Sequence, residues 1–116
     1  MLFVCYPKCS TCQSARRWLA DNNIPVEVRD IKTQNPGYEE LKAWHGASGL
    51  PLKRFFNTSG LAYQSLGLKD KLAAMSDEEQ LRLLATDGML VKRPILVGDG
   101  VVLAGFRQAE WEAALR

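Results

Sequence analysis

Apolar runs of strand length alternate with stretches of helical spacing at both ends of the chain, and the middle is helical in texture. Leu2-Phe3-Val4-Cys5-Tyr6, bounded by Pro7, reads as a buried strand. From Ser10 to Asn23, Cys12, Ala15, Trp18, Leu19 and Asn22 recur at helical spacing, with Gln13, Arg16 and Arg17 on the other side. That pattern predicts an amphipathic helix, stopped at Asn22-Asn23 ahead of Pro25. Val26 to Ile31 alternates apolar and charged residues, the mark of a half-buried strand.

Asn35-Pro36-Gly37 opens a run in which Leu41, Trp44 and Ala47 share a face, and a proline at a helix start has no N–H to lose. Leu50 to Phe56 predicts a short helix, followed by the loop Asn57-Thr58-Ser59-Gly60. Ser76-Asp77-Glu78-Glu79 has the form of a capping box and heads a helix carrying Leu81, Leu83, Leu84 and Ala85. Pro94 to Val97 and Val101 to Ala104 flank Gly98-Asp99-Gly100 and predict a β-hairpin. Gln108 to Arg116, with Ala109, Trp111 or Glu112, and Leu115 in line, predicts a closing helix. There is no internal repeat or low-complexity segment. Strand, helix, strand, several helices, two hairpin strands and a helix is a thioredoxin-like order with a helical insertion.

With 116 residues, 47% of them hydrophobic, the chain suits one domain with its own core. A net charge of +2 predicts neither a nucleic-acid footprint nor an acidic partner. No apolar run approaches the roughly 20 residues that span a bilayer, and Met1 leads into Leu2-Phe3-Val4 with no basic segment or cleavage site. A cytoplasmic protein is therefore expected. Three cysteines, two of them at C-x-x-C spacing, then argue for redox or metal chemistry over a disulfide framework.

The chemistry centres on Cys9-Ser10-Thr11-Cys12, between the first strand and the first helix. A cysteine at a helix N-terminus sits where unpaired N–H groups and the helix dipole favour an anion, so its thiolate forms near neutral pH. Cys12, one turn on, can resolve a bond made at Cys9. Cys5 lies inside a strand and reads as a core residue. A structural zinc site needs four ligands, and beyond the loop only Cys5 and the lone His45 are available, so no metal is expected. His45 reads as a surface or partly packed helical residue.

Tyr6-Pro7-Lys8-Cys9-Ser10-Thr11-Cys12 before an Arg-bearing helix, the Asn57-Thr58-Ser59-Gly60 loop, Tyr63 to Leu68 ending in Leu66-Gly67-Leu68, and Lys92-Arg93-Pro94-Ile95 before the hairpin together resemble the arsenate reductase (ArsC) and Spx family. The similarity runs over nearly the whole chain, and the C-x-x-C points to the Spx/MgsR-like branch. The resemblance implies a single α/β domain over residues 1–116, with a thioredoxin-like (glutaredoxin-like) core of about four mixed strands and an all-helical insertion over about residues 36–90. It further implies that Pro94 is cis and faces the cysteine loop.

Members that reduce arsenate use the cysteine matching Cys9 as nucleophile and hold the oxyanion with three arginines. Arg93 matches one of these, Asn57 stands at the second, and Arg107 fits the third only with a two-residue shift. Cys12 replaces a serine of such reductases and Gln13 an arginine, and the cysteine pair resembles the redox-switch members, Spx among them. Arg93, beside Cys9, can bind a carboxylate or oxyanion in a bidentate way, the plainer alternative being a structural salt bridge. Lys8 would add positive charge beside Cys9, whereas Arg16 and Arg17 read as a solvated face.

The family reading is a thiol-dependent redox protein, an arsenate reductase or thiol–disulfide oxidoreductase, with Cys9, Cys12 and Arg93 as the catalytic group. Lys8, Ser10, Thr11, Asn57, Pro94 and Arg107 are the expected substrate-binding residues. No bound cofactor is expected; glutathione is a co-substrate, with glutathione and glutaredoxin, or thioredoxin, as electron donors. The competing reading is an Spx-like redox-switched transcriptional regulator that binds the RNA polymerase alpha subunit. Neither reading calls for direct nucleic-acid or membrane contact.

Overall fold

The computed structural model describes residues 1–116. Strand β1 (Leu2–Cys5) leads through the cysteine loop into helix α1 (Ser10–Asp21), which ends at Asn22 with Asn23 in the left-handed region, φ 56°. Asparagine tolerates that conformation, which explains why the helix stops there. Strand β2 (Glu27–Asp30) returns parallel to β1, as a strand–helix–strand crossover requires.

Between the two halves of the sheet come α2 (Tyr38–Ser48), a 3-10 turn at Leu52–Phe55, α3 (Leu61–Ser65), α4 (Leu68–Lys71), a 3-10 turn at Leu72–Ala74, α5 (Asp77–Leu84) and a last 3-10 turn at Gly88–Leu90. The chain then forms the hairpin β3 (Ile95–Gly98) and β4 (Val101–Ala104), with Gly100 at φ 70° in its turn, and closes with α6 (Gln108–Leu115). The mixed sheet has the order β2-β1-β3-β4, with β3 antiparallel to both β1 and β4. No helix is long and apolar enough to cross a membrane.

The two-residue period of the strands divides the core in two. Val4, Ile95, Val102 and Ala104 point to one face and pack with Leu41, Trp44, Phe55, Phe56, Leu81 and Leu84 from the helices between β2 and β3. Phe3, Cys5 and Leu96 point to the other and pack with Cys12, Ala15, Trp18 and Leu19 of α1 and Trp111 of α6. Cys12 is thus held on its helix by the same core that holds the sheet.

The capping box at α5 is complete: Glu79 N–H donates to Ser76 Oγ at 3.2 Å and Ser76 N–H to Glu79 Oε1 at 3.1 Å. Gly88 packs its backbone against the end of β2, where an added Cβ would lie 1.8 Å from the Ile31 carbonyl oxygen. Only glycine permits this approach of the helical segment to the sheet.

Several residues sit differently from the sequence pattern. Val28 is 41% exposed on the outer edge strand, whereas Ile31 and Arg29 turn inward. Arg29 makes a bidentate pair with Glu40 at 2.7 and 2.9 Å and lies over Trp44, so a charged position of the alternation serves packing. Ala47 and Ala109 are exposed, because a methyl on the outer flank of each helix has no facing element. Pro36 is buried ahead of the N-cap Gly37, outside the first turn of α2.

Candidate active site

Cys9 is the N-cap of α1, with extended backbone at φ −82° and ψ 124°. Its own N–H is taken by the Tyr6 carbonyl at 2.9 Å, and its carbonyl accepts the Gln13 N–H at 3.0 Å. The half-exposed thiol therefore sits at the positive end of the helix, where the N–H groups of Thr11 and Cys12 have no intrahelical partner. Burial is the largest influence on this thiol and pushes its pKa up. The Cys12 N–H, the Arg93 guanidinium, the Cys12 thiol and the Thr11 N–H together outweigh it and hold Cys9 below the ordinary cysteine value.

Cys12 has the opposite fate. It is 2% exposed, and burial, followed by the neighbouring Cys9 charge and hydrogen bond, pushes its thiol up to about 12 even though the Tyr6 N–H donates to its Sγ at 3.4 Å. The pair thus consists of a half-exposed thiol whose anionic form is favoured and a buried thiol whose protonated form is favoured. Cys5, 3% exposed, is also raised, chiefly by burial, and belongs to the core as expected. No group of three or more His, Cys, Asp or Glu side chains is arranged to hold a metal ion. His45 is half-buried with its ring edge-on to Phe55 at 5.8 Å.

Arg93 reaches Cys9 from the segment that leads into β3, the strand beside β1, just before the cis Arg93–Pro94 bond. Its guanidinium lies over the Tyr6 ring, 5.3 Å from the centroid, and touches Met89 Sδ at 4.0 Å. No carboxylate lies within ion-pair distance of it, so a salt bridge is not what holds it. An arginine stacked on an aromatic ring keeps its N–H fork available for a ligand.

A cleft of about 740 Å³ opens in front of Cys9, lined also by Thr11, Asn57, Arg93 and Arg107. Lys8 and Ser10 are exposed and do not line it: Lys8 stands in the turn before Cys9, and Ser10 is the first residue of α1. Pro94 is buried behind the wall, where its carbonyl accepts the Gly105 N–H at 2.8 Å. The cleft also contains cations the sequence reading passed over: Lys53, Arg54 and Lys92. The Lys53-Arg54 doublet four residues before the Asn57 loop is the signal in the sequence that marks this wall. Arg54 donates to the Ala104 carbonyl at 3.3 Å and pairs with Glu110 at 3.4 Å, while Arg107 meets the same carboxylate at 3.6 Å. Lys92 lies across Gly105, where an added Cβ would stand 2.8 Å from its Cε and where φ is 76°.

The ArsC family model matches residues 5–114. This chain belongs to the ArsC family. YusI of Bacillus subtilis is 48% identical over 112 residues, covering 97% of this chain and 95% of that protein. The crystal structure of an ArsC-family-related protein from Bacteroides fragilis superposes with a TM-score of 0.94 at 56% identity, over 97% of this chain and 94% of that one. A possible arsenate reductase from Streptococcus mutans UA159 gives 0.89 at 46% identity, over 98% and 97%. The regulatory protein MgsR of B. subtilis is 27% identical over 95% of this chain and 86% of its own length. The global transcriptional regulator Spx of Enterococcus faecalis is 28% identical over 90% and 77%. The fold is accordingly the α/β thioredoxin-like fold of this ArsC-family protein, which stands with the Spx/MgsR-like branch.

Because Arg93 is among the groups that lower Cys9, Arg93→Met is expected to move the midpoint of Cys9 alkylation upward, toward the ordinary value. The pH dependence of iodoacetamide reaction reads this directly. Arg93→Lys should restore part of the shift, since it keeps the charge and loses the planar fork. An unchanged midpoint in both variants would remove Arg93 from the thiolate's environment.

Proposed function

We propose that this ArsC-family protein is a thiol-dependent reductase in which Cys9 is the nucleophile and Cys12 the resolving cysteine. The reading rests on one observation: a thiol held below its ordinary pKa opens into a cationic cleft, and a buried thiol held up to about 12 lies one helical turn away. This arrangement imposes an order on the two thiols. Cys9 thiolate attacks one sulfur of a substrate disulfide, the second sulfur leaves as a thiolate and takes a proton from solvent, and a mixed disulfide remains on Cys9.

Once Cys9 carries no charge, two of the influences that keep Cys12 protonated are gone, while the Tyr6 N–H still favours its thiolate. Cys12 then loses its proton to water, attacks Cys9 Sγ and releases the second substrate thiol. The product is a Cys9–Cys12 disulfide, the two electrons having gone to the substrate. An external dithiol, thioredoxin, or glutathione with glutaredoxin, returns the pair to thiols, in keeping with a reducing cytoplasm. Arsenate would be attacked by the same thiolate, its charge opposed by Arg93.

The test is NADPH consumption dependent on a disulfide or on arsenate, coupled separately to glutathione with glutaredoxin and to thioredoxin. Turnover with one donor would identify both the substrate class and the reductant, and no turnover with either would overturn the reading. The relatives named as regulators favour a second reading, in which the Cys9–Cys12 disulfide switches a surface that touches the RNA polymerase alpha subunit. Cys12→Ser separates the two. Without glutathione it should stop turnover and leave a mixed disulfide on Cys9 that mass spectrometry detects. With glutathione present that adduct should be resolved and turnover continue, whereas an intramolecular switch should be abolished under both conditions.

A further inference from the structure

The cleft in front of Cys9 holds five cationic side chains, Lys53, Arg54, Lys92, Arg93 and Arg107, and no Asp or Glu among its lining residues. Its volume of about 740 Å³ falls in the range of small-molecule sites and is far larger than one tetrahedral oxyanion needs. Like charges gathered at one concave surface repel one another, and an anionic occupant relieves that repulsion.

Four of these cations form two groups. The inner group is Arg93, stacked on Tyr6, with Lys92 laid over Gly105 beside it; neither meets a carboxylate. The outer group is Arg54 and Arg107, which share the single carboxylate of Glu110 from the first turn of α6. Those contacts, 3.4 and 3.6 Å, are long for charge-assisted bonds, which run at about 2.7–2.9 Å. The Arg29–Glu40 pair elsewhere in the molecule reaches 2.7 and 2.9 Å, so the fold can build a tight pair where one is needed. Glu110 therefore marks a carboxylate seat without saturating it, and a stronger carboxylate ligand can displace it.

We propose, building on the reductase reading, that the cleft takes a small disulfide bearing two carboxylates, one seated on Arg93 and Lys92 beside Cys9 and the other replacing Glu110 on Arg54 and Arg107. Exchange follows the balance already described: the Cys9 thiolate forms a bond to one sulfur, the substrate S–S bond breaks, and the second half leaves as a carboxylate-bearing thiolate.

The experiment compares second-order rates of Cys9 with dianionic 3,3′-dithiodipropionate, neutral 2-hydroxyethyl disulfide and dicationic cystamine. Each rate is divided by that of the same disulfide with a free small thiol, and iodoacetamide serves as an uncharged probe of the thiolate. The dianion should exceed the neutral disulfide by about tenfold at low salt, with cystamine slowest, and the spread should contract as ionic strength rises. Glu110→Gln should raise the dianion-to-neutral ratio about threefold and Arg54→Gln should lower it by a similar factor. Glu112→Gln, an exposed position on the same helix, removes the same charge and should leave the ratio unchanged. Rapid iodoacetamide reaction with equal normalised rates for the three disulfides would overturn this inference and leave the reductase reading standing. So would a ratio that rises equally in Glu110→Gln and Glu112→Gln. Slow reaction of Cys9 with iodoacetamide and with all three disulfides would overturn both.

Discussion

Cys9→Ser is expected to abolish reductase turnover, a loss of about a thousandfold or more, while the melting temperature stays close to that of the parent chain. A serine hydroxyl at this position has no accessible anionic form at neutral pH and cannot enter a disulfide, so neither the first nor the second exchange takes place. The side chain is half-exposed and makes no capping hydrogen bond, so little packing is lost. In the parent chain the alkylation rate of Cys9 should rise with pH through a midpoint below the ordinary value of about 8.5 and then level off. A midpoint at or above that value, or turnover surviving in Cys9→Ser, would count decisively against Cys9 as nucleophile.

The two thiols also make opposite contributions to stability. Cys9 is held below its ordinary value, so its contribution is present above that value and is lost as pH falls through the folded one. Cys12 is held up to about 12, so the folded state keeps its proton longer than the unfolded chain does. Its contribution is complete below the ordinary range and is lost as pH rises from there toward about 12. Alkaline destabilisation of the reduced protein should therefore diminish in Cys12→Ala, measured by denaturant unfolding at pH 8 and pH 10.

The second large effect is expected at Trp111, far from the cysteines in sequence. Trp111→Ala should cost about 3–5 kcal/mol, the usual range for removing a buried tryptophan, and lower the melting temperature by roughly 10–25 °C. The ring is 1% exposed and meets Phe3, Trp18 and Phe106 edge-on at 6.4, 6.2 and 5.0 Å, so its loss opens a cavity between α1, α6 and the sheet. Its Nε1–H also donates to the Gly105 carbonyl at 3.0 Å. Gly105 is the backbone over which Lys92 lies, so the indole supports the wall of the cleft as well as the core. Trp111→Phe separates the two roles, retaining most of the apolar volume while leaving that carbonyl short of a donor, at a cost of about 1–3 kcal/mol. A Trp111→Ala chain melting within a few degrees of the parent would show that this aromatic cluster contributes little.

Much of the framework can be read from local chemistry. Cys12, Ala15, Trp18 and Leu19 lie on one face at helical spacing and are the buried residues of α1. Ser76 and Glu79 form the predicted reciprocal cap because that motif involves only four consecutive residues. The hairpin turns at Gly98-Asp99-Gly100 because the left-handed conformation at Gly100 needs no Cβ. Edge positions were less legible. Val28 alternates like a core residue, yet β2 has a neighbour on one side only, and no sequence period records which strand lies at the edge.

The sequence by itself determined the element order, the C-x-x-C at the start of a helix and membership of the ArsC family, because these depend on short-range spacing and on motifs of adjacent residues. Tertiary structure alone decided which cations surround Cys9. Lys53 and Arg54 come from the turn after α2, Lys92 and Arg93 from the approach to β3, and Arg107 from the residue before α6. Packing of the helical segment against one sheet face and of α6 against the other brings these distant positions to a single wall, whereas Lys8, next to Cys9 in sequence, does not line it. The different fates of Cys9 and Cys12 arise in the same way. Burial raises both thiols, but at Cys9, which opens toward the cleft, the N–H groups of α1 and the Arg93 guanidinium outweigh it, whereas Cys12 faces the α1 core and burial prevails, although only two residues separate them.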